Sequence, residues 1–195
     1  AQPDIFPDYR DVTVPVNIAP MNFEILSQDG LDWRAVIRGV SDSLTIRSND
    51  GLMSFRIRQW RRLLQENAGG QLRVEVLEKR KDGWYAYQPF MMHISEDEID
   101  PYIAYRLIPP GYSLWREMSI RQRNLETFRE KTIYSNTQGK GNCVNCHSFC
   151  DRDPDRMLFH MRAELAGTYI FRDGMQEKLD TKTEQTISAL VYPYW

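Results

Sequence analysis

Five consecutive residues, Cys143 to His147, combine the side chains that attach a haem group covalently. They read Cys-Val-Asn-Cys-His, which matches the Cys-x-x-Cys-His attachment sequence of c-type haem. The two thiols form thioethers with the haem vinyl groups, and the adjacent imidazole binds iron as an axial ligand. The chain has three cysteines and three histidines, and three of these six residues lie in this string. We therefore predict covalently bound haem c, with Cys143, Cys146 and His147 as the binding residues.

The sixth ligand of the iron must be another residue, water or an exogenous ligand, and water there would permit small-ligand sensing or peroxidase-like chemistry. The nearest candidate residues lie in the segment that follows. Asp153-Pro154 has the pattern of a helix start, an N-cap carboxylate before a first-turn proline, and Gly167 is a plausible stop. On such a helix Met157, His160 and Met161 lie within one turn of one another. His160 is the favoured ligand, whereas a methionine sulfur would raise the reduction potential. The plainer alternative is that the methionines fill a core.

Cys150 keeps other interpretations of the cysteine cluster open. Together with Cys143, Cys146 and His147 it completes a set of three thiols and one imidazole, which can bind zinc, although four ligands within eight residues strain a tetrahedron. In an oxidising compartment Cys150 could instead form a disulfide with one of the other thiols, and this is the expected state of a recombinant sample without haem. His93 is a remote candidate for an iron ligand, although a packed or hydrogen-bonded role is the simpler expectation for it.

Length, composition and charge exclude several classes of protein. The 195 residues are 42% hydrophobic, enough for one large domain or two small ones. With 25 basic and 27 acidic residues, the chain has no general attraction for nucleic acid. No apolar run approaches the roughly 18 residues of a transmembrane segment. Haem attachment takes place outside the cytoplasm, so we expect a periplasmic or secreted location, with or without an envelope anchor, and Ala1-Gln2 is compatible with the mature end left by a removed signal peptide. No phosphate loop or hydrolase elbow is present, so no catalytic residues are predicted.

Short strands and turns dominate residues 1 to 112, and this pattern predicts an immunoglobulin-like β-sandwich. Ile57, Trp60, Leu63 and Leu64 recur at helical spacing, which predicts one helix inserted in the sandwich. The other predicted features are strands at 11–17, 22–26, 33–39, 44–47, 52–55, 72–77 and 84–87, and hairpin turns at 49–51 and 82–83.

Residues 113 to 195 are expected to form a smaller α+β segment around the cysteine loop. Helices are predicted at 120–125 and 126–134, followed by a glycine-containing loop at 136–142. A hairpin at Asp173-Gly174 and a final strand at 187–192 complete this part. The fold class is therefore α+β and mainly β.

Several longer strings resemble a known group of proteins. They are Pro3 to Tyr9, Asn17 to Phe23, Asp100 to Tyr112 and Asn142 to Phe149. With these strings the chain resembles the N-terminal region of secreted bacterial TolB-like β-propeller proteins, often described as haem-motif proteins. The resemblance implies an envelope location and a redox-linked module joined to an interaction platform. Tyr192 to Trp195 would begin the first propeller blade, and the propeller itself would follow.

We therefore expect a c-type haem-binding module for one-electron transfer or haem-dependent sensing, with a redox or envelope protein as its partner. The alternative is a non-enzymatic module that binds a protein or a glycan, in which the cysteine cluster is a disulfide staple or a zinc site.

Overall fold

The structure is a computed structural model that describes residues 1–27, 29–111, 117–139, 141–186 and 192–195. It divides into two compact units. The first comprises Ala1–Tyr102 together with Asn124–Arg129, and the second comprises Ile103–Arg123 together with Glu130–Trp195. Both are built mainly from β-strands, which confirms the mainly-β fold class predicted for the chain as a whole.

The first unit contains two sheets and one helix. One sheet has the strand order β1-β3-β6, and the other has the order β2-β9-β7-β4-β5, with β8 paired to β7. In the second sheet β2 and β9 run parallel, and the other pairs are antiparallel. The elements are β1 (Ile5–Phe6), β2 (Val12–Val14), β3 (Phe23–Ile25), β4 (Asp32–Arg38), β5 (Ser43–Ser48), β6 (Leu52–Met53), α1 (Ile57–Glu66), β7 (Gln71–Arg80), β8 (Gly83–Ala86) and β9 (Phe90–Ile94).

Helix α1 confirms the predicted helical segment. Trp60, Leu63 and Leu64 are buried, and their spacing of three and four residues places them on one face. The Trp60 indole N–H donates to the Ile18 carbonyl. The polar face carries Arg62, which forms an ion pair with Glu66 one turn later.

The core of the first unit lies between its two sheets and the helix. Strands β4 and β7 supply alternating buried residues, as expected of a sheet with one face on a core. Phe23 contacts both Phe55 and Phe90 through ring packing. Among the described residues of this unit, the buried polar side chains are Asn67 and Glu78, and Glu78, near the end of β7, is fully buried.

The second unit also contains two sheets. Their strand orders are β10-β11-β12 and β13-β14-β15-β16. The strands are β10 (Tyr102–Leu107), β11 (Ser119–Asn124), β12 (Glu130–Ser135), β13 (Val144–Phe149), β14 (Met157–Met161), β15 (Gly167–Arg172) and β16 (Met175–Leu179). Residues of both sheets form one buried cluster, which includes Ile120 of β11, Val144 of β13 and Phe159 of β14. The two sheets therefore share a single core.

The prediction of helices at 120–125 and 126–134 is wrong. The chain instead forms the antiparallel pair β11 and β12. The Asn124 carboxamide oxygen accepts the Glu126 backbone N–H and the Thr127 hydroxyl, and these bonds help to turn the chain between the strands. Ile120 and Gln122 are buried on β11. Their side chains are two residues apart, which is the repeat of a strand rather than the 3.6-residue repeat of a helix.

Two of the three predicted hairpins are confirmed. β7 and β8 pair around residues 81 and 82, and β15 and β16 pair around Asp173 and Gly174. The φ angles of Asp173 and Gly174, 52° and 73°, are both positive, as a type I′ turn requires. The turn at 49–51 is not a hairpin, because β6 pairs with β3 in the other sheet. The predicted final strand at 187–192 lies largely outside the described residues.

Among the residues that the structure describes, no helix is both long and apolar enough to cross a membrane.

Candidate haem-attachment site

The Cys-x-x-Cys-His string lies on strand β13 rather than in the loop predicted from the sequence. Cys143 immediately precedes the strand, and Cys146 and His147 lie within it. β13 is at the edge of its sheet, paired on one side to β14. The physical reason for the difference is pairing: Val144 is buried opposite Met161, and this contact extends the strand into the motif.

A β-bulge at Cys146 interrupts the strand within the motif. Asn145 pairs with His160 and His147 pairs with Phe159, so two steps on β13 correspond to one step on β14. Cys146 has a positive φ of 49°, which is uncommon for a residue other than glycine. A bulge of this kind redirects the side chains that follow it. As a result His147 lies on the same face as Val144, although a regular strand would put residues three apart on opposite faces.

His147 is partly buried at the core side of β13. Its ring centroid lies 6.0 Å from that of Phe149, in an edge-to-face arrangement. Burial lowers the pKa of the His147 imidazole, a hydrogen bond to the Ala104 backbone opposes this change, and the charge of Arg106 adds to it. A backbone bond that favours the protonated ring is one in which the ring N–H donates to a carbonyl oxygen. The Ala104 backbone of β10 therefore lies near the ring, and burial favours the neutral form of the ring.

The three cysteines differ in their surroundings, and none of them is in a disulfide. Cys143 and Cys146 are partly buried, whereas Cys150 is buried. Burial raises the pKa of the Cys150 thiol, and the neighbouring Asp151 carboxylate adds to that increase. Because the thiolate is the reactive form, these surroundings make the Cys150 thiol less reactive.

Two buried asparagines fix the backbone around the motif. The Asn136 carboxamide oxygen accepts the Val144 backbone N–H at 3.0 Å, and Asn136 is fully buried. The Asn142 carboxamide oxygen accepts the Leu165 N–H at 2.9 Å. In addition the Arg162 N–H donates to the Cys143 carbonyl. The chain that enters the motif is therefore held from both sides.

The helix predicted from Asp153 to Gly167 is wrong. Asp153 instead belongs to the turn between β13 and β14, where its carboxylate accepts the Asp155 N–H and its own backbone N–H donates to Cys150. Every residue of β14 is buried, because neighbouring strands flank it and both of its faces are covered. A strand buried on both faces lacks the alternation that identifies a strand in a sequence.

The residues proposed as the sixth iron ligand consequently separate onto two faces. Met157 and Met161 belong to the apolar cluster of the second unit. His160, between them along the strand, is on the other face, where its Nδ1 lies 3.2 Å from the Thr168 hydroxyl. The structure therefore does not bring His160 to the face that carries His147.

No group of three or more His, Cys, Asp or Glu side chains is arranged to hold a metal ion within the described part of the chain. Cys143, Cys146, Cys150 and His147 thus do not form a ready-made tetrahedron of zinc ligands.

Sequence reasoning missed Ala104, Asn136 and Asn142 as parts of this site. Ala104 contributes only its backbone, so its side chain gives no signal. The asparagines flank a glycine-containing turn, and such positions commonly use amide side chains to bind nearby backbone groups. That signal was available.

Comparisons with models of protein families, with curated proteins and with solved structures found no match to this chain.

Proposed function

We propose that the second unit is a c-type haem-binding module of the bacterial cell envelope, which serves one-electron transfer or haem-dependent sensing. Cys143 and Cys146 carry the covalent bonds, and His147 is the proximal iron ligand. Bound in this way, haem would supply a one-electron redox centre and a site for an axial ligand. An attached β-propeller and a redox or envelope protein partner belong to the same proposal.

The observation that best supports this function is that both thiols of the attachment sequence and His147 lie on or beside one edge strand, where Cys143 and Cys146 are partly exposed. Histidines that bind metals almost always donate their second ring N–H to a carbonyl or a carboxylate, which fixes the tautomer and the ring orientation. Burial also favours the neutral imidazole, which is the form that ligates. The Ala104 backbone lies close enough to the His147 ring to affect its pKa, so it is the group that would take this role.

The placement of the thiols agrees with covalent attachment. Cys143 and Cys146 are only partly buried, and they lie at an edge strand. Each thiol adds across one vinyl double bond, so that a carbon–sulfur bond forms and the hydrogen passes to the neighbouring carbon without net oxidation. Cys150, which the attachment sequence does not use, is the buried thiol.

Haem attachment also supports the proposed compartment, because this ligation takes place outside the cytoplasm.

An immunoglobulin-like arrangement of the first unit is part of the proposal. The order β9-β7-β4-β5 corresponds to the G-F-C-C′ order of a variable-type domain, and β1-β3-β6 corresponds to strands A, B and E. Helix α1 then occupies the connection between strands E and F.

The decisive experiment is expression with a signal peptide and the haem-attachment machinery. The purified protein should keep its haem stain on a denaturing gel, and the pyridine haemochrome spectrum should be that of a haem with two thioether bonds. Cys143→Ser or Cys146→Ser should leave one thioether or abolish attachment. Cys150→Ser is the matched control and should attach haem as the wild type does. Absence of covalent haem in the wild type would refute the proposal and favour a binding module with a disulfide staple.

A further inference from the structure

The larger sheet of the first unit carries an excess of positive charge on the face that points away from the core. On β4 the odd-numbered residues from 33 to 37 belong to the core, so Arg34 and Arg38 project from the opposite face. Residues paired directly across an antiparallel ladder share a face. The register therefore places five basic side chains on the outward face of β4, β5 and β7, and we call this surface the basic face: Arg34, Arg38, Arg47, Arg73 and Lys79.

This charge is local to the basic face. The acidic side chains at the outward positions of the same strands are Asp32 and Glu75. Five basic and two acidic groups leave an excess of three positive charges, whereas the whole chain has a net charge of −2. The basic face is thus the part of this sheet that is complementary to an anionic partner.

Two pairs of arginines lie directly opposite each other on the basic face. Arg38 is the register partner of Arg73, and Arg34 is the register partner of Arg47. Like charges at such positions destabilise a sheet. The Glu75 carboxylate compensates the first pair, because it lies 3.3 Å from Arg38 and 3.1 Å from Arg73. Within the described part of the chain no carboxylate forms an ion pair with either residue of the second pair.

An exposed indole lies beside the uncompensated pair. Trp84 of β8 is the register partner of Lys79, which puts it on the basic face, and it is 41% exposed. The guanidinium carbon of Arg34 lies 4.3 Å from the centroid of the Trp84 ring, and this cation–π contact holds the guanidinium in place. Among the described residues Lys79 also has no ion pair, whereas the His93 Nε2, on the neighbouring β9, lies 2.8 Å from the Asp11 carboxylate. A group that is already held in place loses less freedom when it binds a ligand.

We infer that the basic face binds an acidic polysaccharide whose sugar units carry carboxylates. Arg34 and Arg47 donate paired N–H bonds to these carboxylates, which removes the repulsion between the two guanidinium groups. The apolar C–H face of a sugar ring packs on the exposed part of the Trp84 indole, a contact that an acidic peptide side chain does not require. Because the chain as a whole is slightly negative, the more densely charged backbone of a nucleic acid is a poorer match.

A sheet face suits an extended polymer, because neighbouring strands present side chains about 5 Å apart and no cavity is needed. The inference concerns the first unit, goes beyond the proposed haem function and does not depend on it.

The test uses the whole 195-residue chain with polygalacturonate as the probe. Isothermal titration calorimetry should show binding that weakens as the salt concentration is raised, and neutral dextran should not bind. Poly-L-glutamate and a single-stranded oligonucleotide supply negative charge without a uronic acid ring, and both should bind more weakly. Absence of polygalacturonate binding would overturn the inference. Tighter binding of either of the other two polymers would also overturn it and would assign the basic face to an acidic protein or to a nucleic acid.

Variants locate the binding site on the basic face. Arg34→Gln combined with Arg47→Gln should weaken polygalacturonate binding at least about tenfold, which is the effect of losing one charge-assisted hydrogen bond. Trp84→Ala should weaken the binding of polygalacturonate more than that of poly-L-glutamate. The matched control, Arg56→Gln combined with Arg58→Gln, removes the same charge from exposed arginines at the start of helix α1 and should bind as the wild type does.

Urea denaturation shows whether each variant is folded. Arg47→Gln alone removes one exposed cation and leaves the contact between Arg34 and Trp84 in place, so it provides a folded test even if the double variant unfolds. It should weaken polygalacturonate binding several-fold. Wild-type affinity in folded Arg47→Gln and in the folded double variant would overturn the inference.

Discussion

His147 and His160 lie on adjacent paired strands but on opposite faces of the sheet. The bulge at Cys146 is the cause, because it adds one residue to β13 between the positions paired with His160 and Phe159. Without that extra residue, regular alternation would turn residue 147 toward the face of His160. A single left-handed residue inside the motif therefore separates the two imidazoles of the second unit.

Acid should destabilise the haem-free protein through its buried histidines. Burial lowers the pKa of both His147 and His160. Below about pH 6.5 the unfolded chain therefore binds protons that the folded chain does not. The free energy of unfolding consequently decreases as the pH is lowered. Each histidine contributes at most about 1.4 kcal/mol per pH unit. Urea denaturation between about pH 7.5 and 5 measures this slope, and His160→Gln should make it shallower. Equal slopes for the variant and the wild type would contradict the expectation.

The three thiols should differ in their rates of alkylation. Cys150 is buried and its pKa is raised by that burial, whereas Cys143 and Cys146 are partly exposed. Iodoacetamide at about pH 8 should therefore modify Cys143 and Cys146 well before Cys150. Peptide mass spectrometry over a time course gives the three rates. In urea all three should react at similar rates, which is the control, and early modification of Cys150 in the folded protein would disprove its burial.

Glu78 should stabilise the first unit measurably. It is fully buried, and it accepts hydrogen bonds from Arg80, Ser27 and Tyr87. Burial alone would raise the pKa of Glu78, but these bonds outweigh burial and lower it. Glu78→Gln leaves the guanidinium without its counter-ion, and we expect a loss of about 2 kcal/mol, moderated because Arg80 is partly exposed.

Glu75 provides the matched control for that measurement. It lies on the same strand and forms exposed ion pairs with Arg38 and Arg73. Glu75→Gln should cost less than about 1 kcal/mol in the same denaturation assay. Equal losses for the two variants would show that the buried network adds nothing beyond a surface ion pair.

Asn136 should be needed to hold the motif in place. Asn136→Ala removes the acceptor of the Val144 N–H, and leaving such a buried donor unsatisfied costs about 1 to 3 kcal/mol. We expect lower stability in denaturation and a lower yield of covalent haem per folded protein. Thr137→Ala, at the exposed neighbouring position, should change the stability by no more than about 0.5 kcal/mol. A normal haem yield in folded Asn136→Ala would remove Asn136 from a positioning role.

Local patterns in the sequence were sufficient to predict several secondary-structure elements. The spacing of Trp60, Leu63 and Leu64 predicted helix α1, and Asp173-Gly174 predicted the hairpin of β15 and β16. Both signals act within a few residues, through one helical face or through two residues with positive φ. The mainly-β character also followed from the density of short apolar runs and turns.

Tertiary pairing determined the features that local patterns could not. β14 is buried on both faces, so it lacks alternation, and the Asp153-Pro154 helix signal proved to be a turn. The bulge at Cys146 depends on the register between β13 and β14, which no short window of sequence contains. The sequence by itself thus determined the residue types and the spacing on which the haem proposal rests, at Cys143, Cys146 and His147. Only the tertiary structure decided on which face of the sheet these residues lie and which side chains they neighbour. The reason is that the orientation of a side chain on a strand depends on how that strand pairs with strands distant in sequence.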